Sequence, residues 1–195
     1  MKTLKMNYLK TICTLVLVAI LSTACGQSNT GTKENVSKEK AVAAAPETDL
    51  QTAVISGNLE AVRQHIEAGS DLDEKEPFNG SSPLITAATF GKTEIAQALI
   101  DAGADLSVKN NDGSTALHAA AFFCRVEIVQ QLIDAKADRA LLNNYGATAK
   151  EIVSGPFADV KPVYEMMQQQ LQPFGLQIDI DDIEKTRPVV AMMLQ

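Results

Sequence analysis

Two histidines, three cysteines and one cluster of carboxylates are the residues of this chain whose types and spacing could do chemistry. His118 and Cys124 lie close in sequence, the two residue types that a thiol nucleophile with its base, or half of a zinc site, would need. The run DIDDIE gathers Asp179, Asp181, Asp182 and Glu184, and close carboxylates are the hard oxygen ligands that divalent cations prefer. None of these groups closes into a site. On a helix and its end, positions 118 and 124 face different ways, and no third ligand for His118 and Cys124 follows from the sequence. DIDDIE lacks the Asp, Gly and Glu spacing of a calcium loop and reads as a solvated, charge-rich segment. His65, beside Ile66, reads as a surface or boundary residue of a helix. There is no Ser-His-Asp order, no glycine-rich nucleotide loop and no Cys-x-x-Cys pair. A hydrolase or metal-dependent enzyme centred on His118, Cys124 and the acidic tail is therefore the weakest functional reading. No catalytic residue, metal ligand or cofactor is assigned.

What positions these residues begins with the leader. Lys2, Lys5 and Lys10 precede the uncharged run TICTLVLVAIL, and Ser22, Thr23 and Ala24 lead into Cys25. A positive head, a short apolar run and a small-residue exit form a secretory signal, too short for a membrane span of about 20 residues. LSTAC resembles the lipobox of a bacterial lipoprotein, which implies cleavage after residue 24 and acylation of Cys25. Two or more buried acyl chains anchor a protein stably, at about 0.8 kcal/mol per buried CH₂. With Cys13 removed and Cys25 acylated, only Cys124 remains as a thiol, so an internal disulfide is excluded. Residues 25–47 have a linker composition, with a flexible reach of about 25 Å. Gly26 after the cysteine is similar to lipoproteins of the outer membrane facing the periplasm. Loss of the three leader lysines leaves 14 basic against 24 acidic residues, a net −10. Such a charge repels nucleic acid and anionic surfaces and steers in a basic partner.

The remainder repeats itself. SSPLITAATFGKTEIAQALI (81–100) returns as STALHAAAFFCRVEIVQQLI (114–133), and Gly80, Gly113 and Gly146 end polar turns at the same interval. Gly57, Gly91 and Cys124 follow first helices, and Gly69, Gly103 and Lys136 follow second ones. One extra residue falls in the loop DEKEPFNG. Small residues (Ala87, Ala88, Ala120, Ala121) on the first helices permit close stacking. Ile95, Leu99, Ile128, Val129 and Leu132 form the apolar stripe of the second. A period of about 33 residues built from a turn and two helices resembles the ankyrin-repeat family. The implied architecture is an all-α ankyrin-repeat solenoid of about four helix-turn-helix repeats with short turn fingers: 48–80, 81–113, 114–146 and 147–174, the first and last being caps. The family's TPLH motif appears as SPLI and TALH, and the resemblance implies that Thr115 and His118 bond to backbone across the turn. A tail, 175–195, falls outside the pattern, and its apolar end could dock on the last repeat or in the concave groove.

In ankyrin proteins the end of the first helix and the turn tips line the concave binding surface. Carried over by register, this gives a partner-binding set of Phe78, Asn79, Thr89, Phe90, Asn111, Asp112, Phe122, Phe123, Asn144 and Tyr145. Because adjacent helix positions diverge by about 100°, one member of the Phe122–Phe123 pair is expected to pack inward. The sequence thus points to a non-enzymatic, monomeric, lipid-anchored module of the cell envelope that binds a protein partner through aromatic anchors. A variant of that reading is a periplasmic immunity or inhibitor protein that neutralises a secreted toxin.

Overall fold

The computed structural model describes residues 45–195. The expectations for Cys25, for the leader and for most of the linker fall outside this range. The described residues form nine α-helices and no strand. They are α1 (Leu50–Ser56), α2 (Leu59–Glu67), α3 (Pro83–Phe90), α4 (Thr93–Asp101), α5 (Ala116–Phe122), α6 (Val126–Asp134), α7 (Ala149–Ser154), α8 (Phe157–Leu171) and α9 (Ile180–Met193), with a short 3-10 turn Gln172–Phe174 before α9.

Local chemistry starts each inner helix. The Asp49 side chain accepts from the Thr52 amide at 2.9 Å, Pro83 sits in the first turn of α3 behind the Ser82 cap, and Thr148 and Glu151 form a capping box at α7. Each device satisfies amides that have no partner within the helix. α3, α5 and α7 begin at one constant interval, at Pro83, Ala116 and Ala149. They stack in one row behind α1, while α2, α4 and α6 form a second row. Ala53, Ala87, Ala88, Ala120 and Ala121 have no exposed surface, nor do Leu99, Ile128, Val129 and Leu132. Alanine lets inner helices approach closely, and the large residues of the outer row fill what remains. Burying each Leu or Ile is worth about 1.5–3 kcal/mol.

The fourth repeat departs from the sequence expectation. The second helix placed by pattern within 147–174 does form, as α8, but it does not stand in the outer row. That position belongs to α9, which packs on α7 and α6, the same pair of neighbours that α6 has in α5 and α4. Val190, Ala191 and Leu194 repeat the spacing of Ile95, Ala96 and Leu99 and of Ile128, Val129 and Leu132, and Val190 and Leu194 join the main core. Ile95 and Ile128 are one repeat apart, but Val190 follows Ile128 by nearly two. An insertion that holds α8 and the 3-10 turn therefore separates the inner and outer helices of the last repeat. Of the two docking places expected for the apolar end of the tail 175–195, the last repeat is the one it takes, and there it closes the stack.

Two C-terminal caps lack the usual glycine. Cys124 and Lys136 hold left-handed backbone at φ 52° and 66°, where the equivalent positions of other repeats have glycine at 66–87°. A side chain in this region is strained. Lys136 is exposed, so its side chain contributes little packing in return. Lys136→Gly is expected to raise stability by about 0.5–1 kcal/mol, seen as a higher urea midpoint at unchanged slope.

Candidate partner-binding surface

The turns between repeats project as fingers whose tips form a ladder. The Asn111 amide donates to the Asn79 carbonyl at 2.7 Å and the Asn144 amide to that of Asp112 at 2.9 Å. The side chains repeat the link: Asn111 Nδ2 donates to Phe78 O at 3.2 Å, Asn144 Nδ2 to Asn111 O at 2.9 Å, and Tyr145 Oη to Asp112 Oδ1 at 3.1 Å. A Cβ on Gly80 or Gly113 would collide with the next finger's Asn side chain, which explains why glycine recurs there at positive φ. Asn111, Asn144 and Asp112 were expected to meet a partner, but the structure commits their side chains first to joining neighbouring fingers.

The first finger accommodates its extra residue through Glu76. That carboxylate accepts from the amides of Phe78 and Asn79, both at 2.7 Å. Phe78 is thereby held with 75 % of its surface exposed. Tyr145 is 48 % exposed at the third tip, while Ile55, exposed, and Thr89, half-buried, lie at the far ends of α1 and α3.

At the other end of the inner helices the expectation for the Phe pair is revised. Phe123 is the inward member, only 5 % exposed. Phe122 is not free either, because its ring stacks on Tyr164 of α8 at 4.6 Å. Tyr164 is fully buried and donates to Phe122 O at 2.6 Å, and burial pushes its phenol up to about 12. Leu176, Ile178 and Ile183 complete this second cluster, with Phe90 at its edge. The insertion supplies the apolar cover that exposed neighbouring aromatics would otherwise need from a partner.

Two arginines, neither singled out in the sequence, fasten that cover. Arg187, 2 % exposed, donates to Tyr164 Oη at 3.2 Å and to the carbonyls of Ile152 and Gly155 at 3.1 and 3.2 Å. Arg125 reaches from the Thr89 carbonyl at 3.4 Å to that of Gln177 at 3.1 Å. The signal that could have located Arg187 was the Val-Ala-x-x-Leu pattern that begins just after it, at Val190.

The candidate chemical residues take structural roles. His118 is 2 % exposed. Its Nε2 donates to Ala147 O at 3.1 Å, and its Nδ1 accepts from the Thr115 amide at 3.3 Å. One neutral tautomer satisfies both bonds. Gln51, unremarked in the sequence, does the same work in the first repeat, donating to Ser81 O at 2.9 Å. His65 is buried and bridges Thr48 O and Ser70 Oγ at 2.7 and 3.0 Å, which corrects its placement as a surface or boundary residue. Burial pushes the Cys124 thiol up to about 11, away from nucleophilic use. Asp179 caps α9 by accepting from the amides of Asp181 and Asp182. Among the described residues no three His, Cys, Asp or Glu side chains are grouped to hold a metal ion.

Comparison with known proteins agrees with this geometry. A family model described as "Ankyrin repeats (3 copies)" matches residues 50–147, so the insertion and α9 lie outside the matched part. Protein phosphatase 1 regulatory subunit 27 of Mus musculus is 41 % identical over 64 residues, covering 33 % of this chain and 41 % of that protein. Ankyrin repeat and SAM domain-containing protein 6 of Mus musculus is 32 % identical over 66 residues, 34 % of this chain and 8 % of that one. Among solved structures, the ankyrin repeat domain of Bcl-3, of the IkappaB protein family, matches with a TM-score of 0.51 and 31 % identity over 53 % of this chain and 45 % of that one. The match spans less than half the length of each of these relatives.

Desolvation lowers the His118 pKa, with the nearby Lys109 charge adding to it. The unfolded state therefore binds more protons than the folded one just below the ordinary value near 6.5. The stability tied to neutral His118 is complete above about pH 6.5 and is lost as pH falls towards the folded pKa. Thermal unfolding of the wild type is expected to shift down between pH 7 and pH 5 by more than that of His118→Gln, whose amide cannot titrate.

Proposed function

This chain belongs to the ankyrin-repeat family, and on that premise we propose that it is a non-enzymatic protein-binding module of the bacterial cell envelope. It engages its partner through the finger tips and the floor formed by α1 and α3. The observation that carries the reading is Phe78, a large aromatic held by Glu76 with three-quarters of its surface exposed. Asn79 stands beside it on the same finger, with Tyr145 further along the ladder, and Ile55, Thr89 and Phe90 lie at the far ends of α1 and α3. Aromatic anchors with few rotamers are typical interface hot spots. Phe123 leaves the proposed contact set because the insertion buries it.

Membership in a family of protein-binding repeats supports the reading, as does the name of the 41 % identical relative, a regulatory subunit of a phosphatase. The charge of −10 on the chain after the leader favours a basic partner and faster encounter at low salt. The lipobox-like LSTAC supports anchoring through lipid at Cys25, with residues 26–47 as the tether and the outer membrane, on its periplasmic face, as the location.

Affinity capture of the full chain from detergent-solubilised envelopes tests this directly. A partner recovered by the wild type is expected to fall about tenfold with Phe78→Asp combined with Thr89→Arg, as loss of a hot spot would give. The Cys25→Ser chain is expected to leave the membrane fraction. Equal recovery by the double variant overturns the surface, and a Cys25→Ser chain that still sediments with membranes overturns the anchor.

A further inference from the structure

The ladder of fingers has two ends, and they are finished differently. In the second finger the Asn111 amide and carboxamide both donate to the finger before it. In the first finger Phe78 stands at that position, and its amide and that of Asn79 are taken by Glu76 of the same finger, both at 2.7 Å. One carboxylate thus supplies the acceptors that a preceding finger would offer, and this end is closed.

The other end, at the third finger, repeats the second finger bond for bond. Asn110 Oδ1 accepts from the amides of Asp112 and Ser114 at 3.0 and 2.9 Å, and Asn143 Oδ1 from those of Tyr145 and Ala147 at 3.0 and 3.1 Å. Gly113 and Gly146, at φ 71° and 72°, return their amides to Asn110 O and Asn143 O at 2.9 and 3.0 Å. What such an edge holds is on view in the second finger. Asn111 O accepts the Asn144 carboxamide at 2.9 Å, and that side chain lies so close over Gly113 that a Cβ there would collide with it.

On the third finger the same edge faces solvent. Asn144 O accepts no hydrogen bond among the described residues, a Cβ on Gly146 would meet nothing within 4 Å, and both residues are exposed. Beneath the tip, Lys109 reaches forward to Leu142 O at 2.9 Å, so its column of side chains faces the following finger. Leu142 is the next member of that column and is 50 % exposed. An acceptor, a bare glycine and an apolar side chain therefore line an edge whose twin holds an asparagine turn. A second copy of the chain does not fit it, because Asn111 and Asn144 are engaged in their own ladder and the first finger presents Phe78 with its amides sealed by Glu76.

We propose that the open edge of the third finger binds an Asn-x-Gly turn on the surface of a partner protein, which docks as one more finger. The carboxamide of its asparagine donates to Asn144 O and lies over Gly146, and an apolar residue two places before that asparagine rests on Leu142. The inference rests on the reading of this chain as a protein-binding module, and it adds the chemistry by which the partner is recognised.

The chain's own third finger provides the probe. A cyclic peptide copying residues 140–148 (ALLNNYGAT), closed head to tail through one added lysine that carries fluorescein, is titrated into the full-length protein. Saturable binding is expected at about 1 mM or below. The peptide with Asn144→Ala is expected to bind about fivefold more weakly, as loss of one hydrogen bond gives. Gly146→Asn in the protein is expected to weaken binding about tenfold by filling the edge, and Leu142→Ser to weaken it as well. Asparagine tolerates left-handed backbone, so Gly146→Asn is expected to leave the melting temperature unchanged. Gly113→Asn, whose edge Asn144 already occupies, is expected to lower it by about 3 °C or more. Absence of saturable binding overturns the proposal, as do an affinity unchanged by Asn144→Ala in the peptide or by Gly146→Asn in the protein, and an equal fall in melting temperature for the two glycine variants. The assay involves no envelope partner and leaves Phe78 and Thr89 intact, so its failure is separate from failure of the capture experiment.

Discussion

A repeat of this kind cannot bury its own apolar face, and every feature of the molecule follows from the need for a neighbour to bury it. The inner helices are short and their contact residues are alanines with no exposed surface, so each row gains its stability at the junction between units. The finger ladder obeys the same rule, since Asn111 and Asn144 use main chain and side chain alike to hold the preceding finger. The inner-helix bridges of Gln51 and His118 are further links of this type. A stack made only of nearest-neighbour contacts needs closure at its last unit.

Here closure is unusual because the helix that provides it is separated from its inner partner by the inserted α8 and the extended segment after it. The insertion folds over the ends of the inner helices and buries Phe123, Tyr164, Leu176 and Ile178 in a second cluster. Arg187 joins the two parts. It stands immediately before the portion of α9 that completes the outer row, and it bonds to Tyr164 in α8 and to two carbonyls around α7. A buried guanidinium surrounded by neutral acceptors has many alternatives worse than this one, so it fixes how insertion, inner helix and outer helix fit together. The aromatic strip is consequently divided: its finger portion faces solvent, and its helix-end portion is used internally.

Much of this was legible in the residues. The constant spacing of Gly80, Gly113 and Gly146 and the alanine pairs specify the stack, because backbone turns and close packing tolerate few alternatives. The structural role of His118 was legible through TALH. The last repeat was not, because pattern matching assumes continuity and α8 follows the inner helix at the expected place with a plausible apolar stripe. Only Val190, Ala191 and Leu194 carry the outer-row pattern, and they lie nearly a whole repeat beyond where the interval from Ile95 to Ile128 would place them. Tyr164 gave no signal, because its partners are Arg187 and a backbone carbonyl, which has no residue identity, and Arg187 had only the outer-row pattern that begins after it to mark its place. Gln51 was missed since the position usually holds histidine, although a side-chain amide can donate to the same carbonyl.

Which surfaces remain for a partner depends on whether α9 truly completes the outer row. Amide hydrogen exchange of the full chain followed by mass spectrometry measures this most directly, since protection reports the opening free energy of each element. Peptides covering residues 187–194 are predicted to exchange as slowly as those covering α6. Exchange of that segment as fast as an exposed terminus, with α6 still protected, would contradict the account: the stack would end at α7, and the cover over Phe122 and Phe123 would lose its attachment.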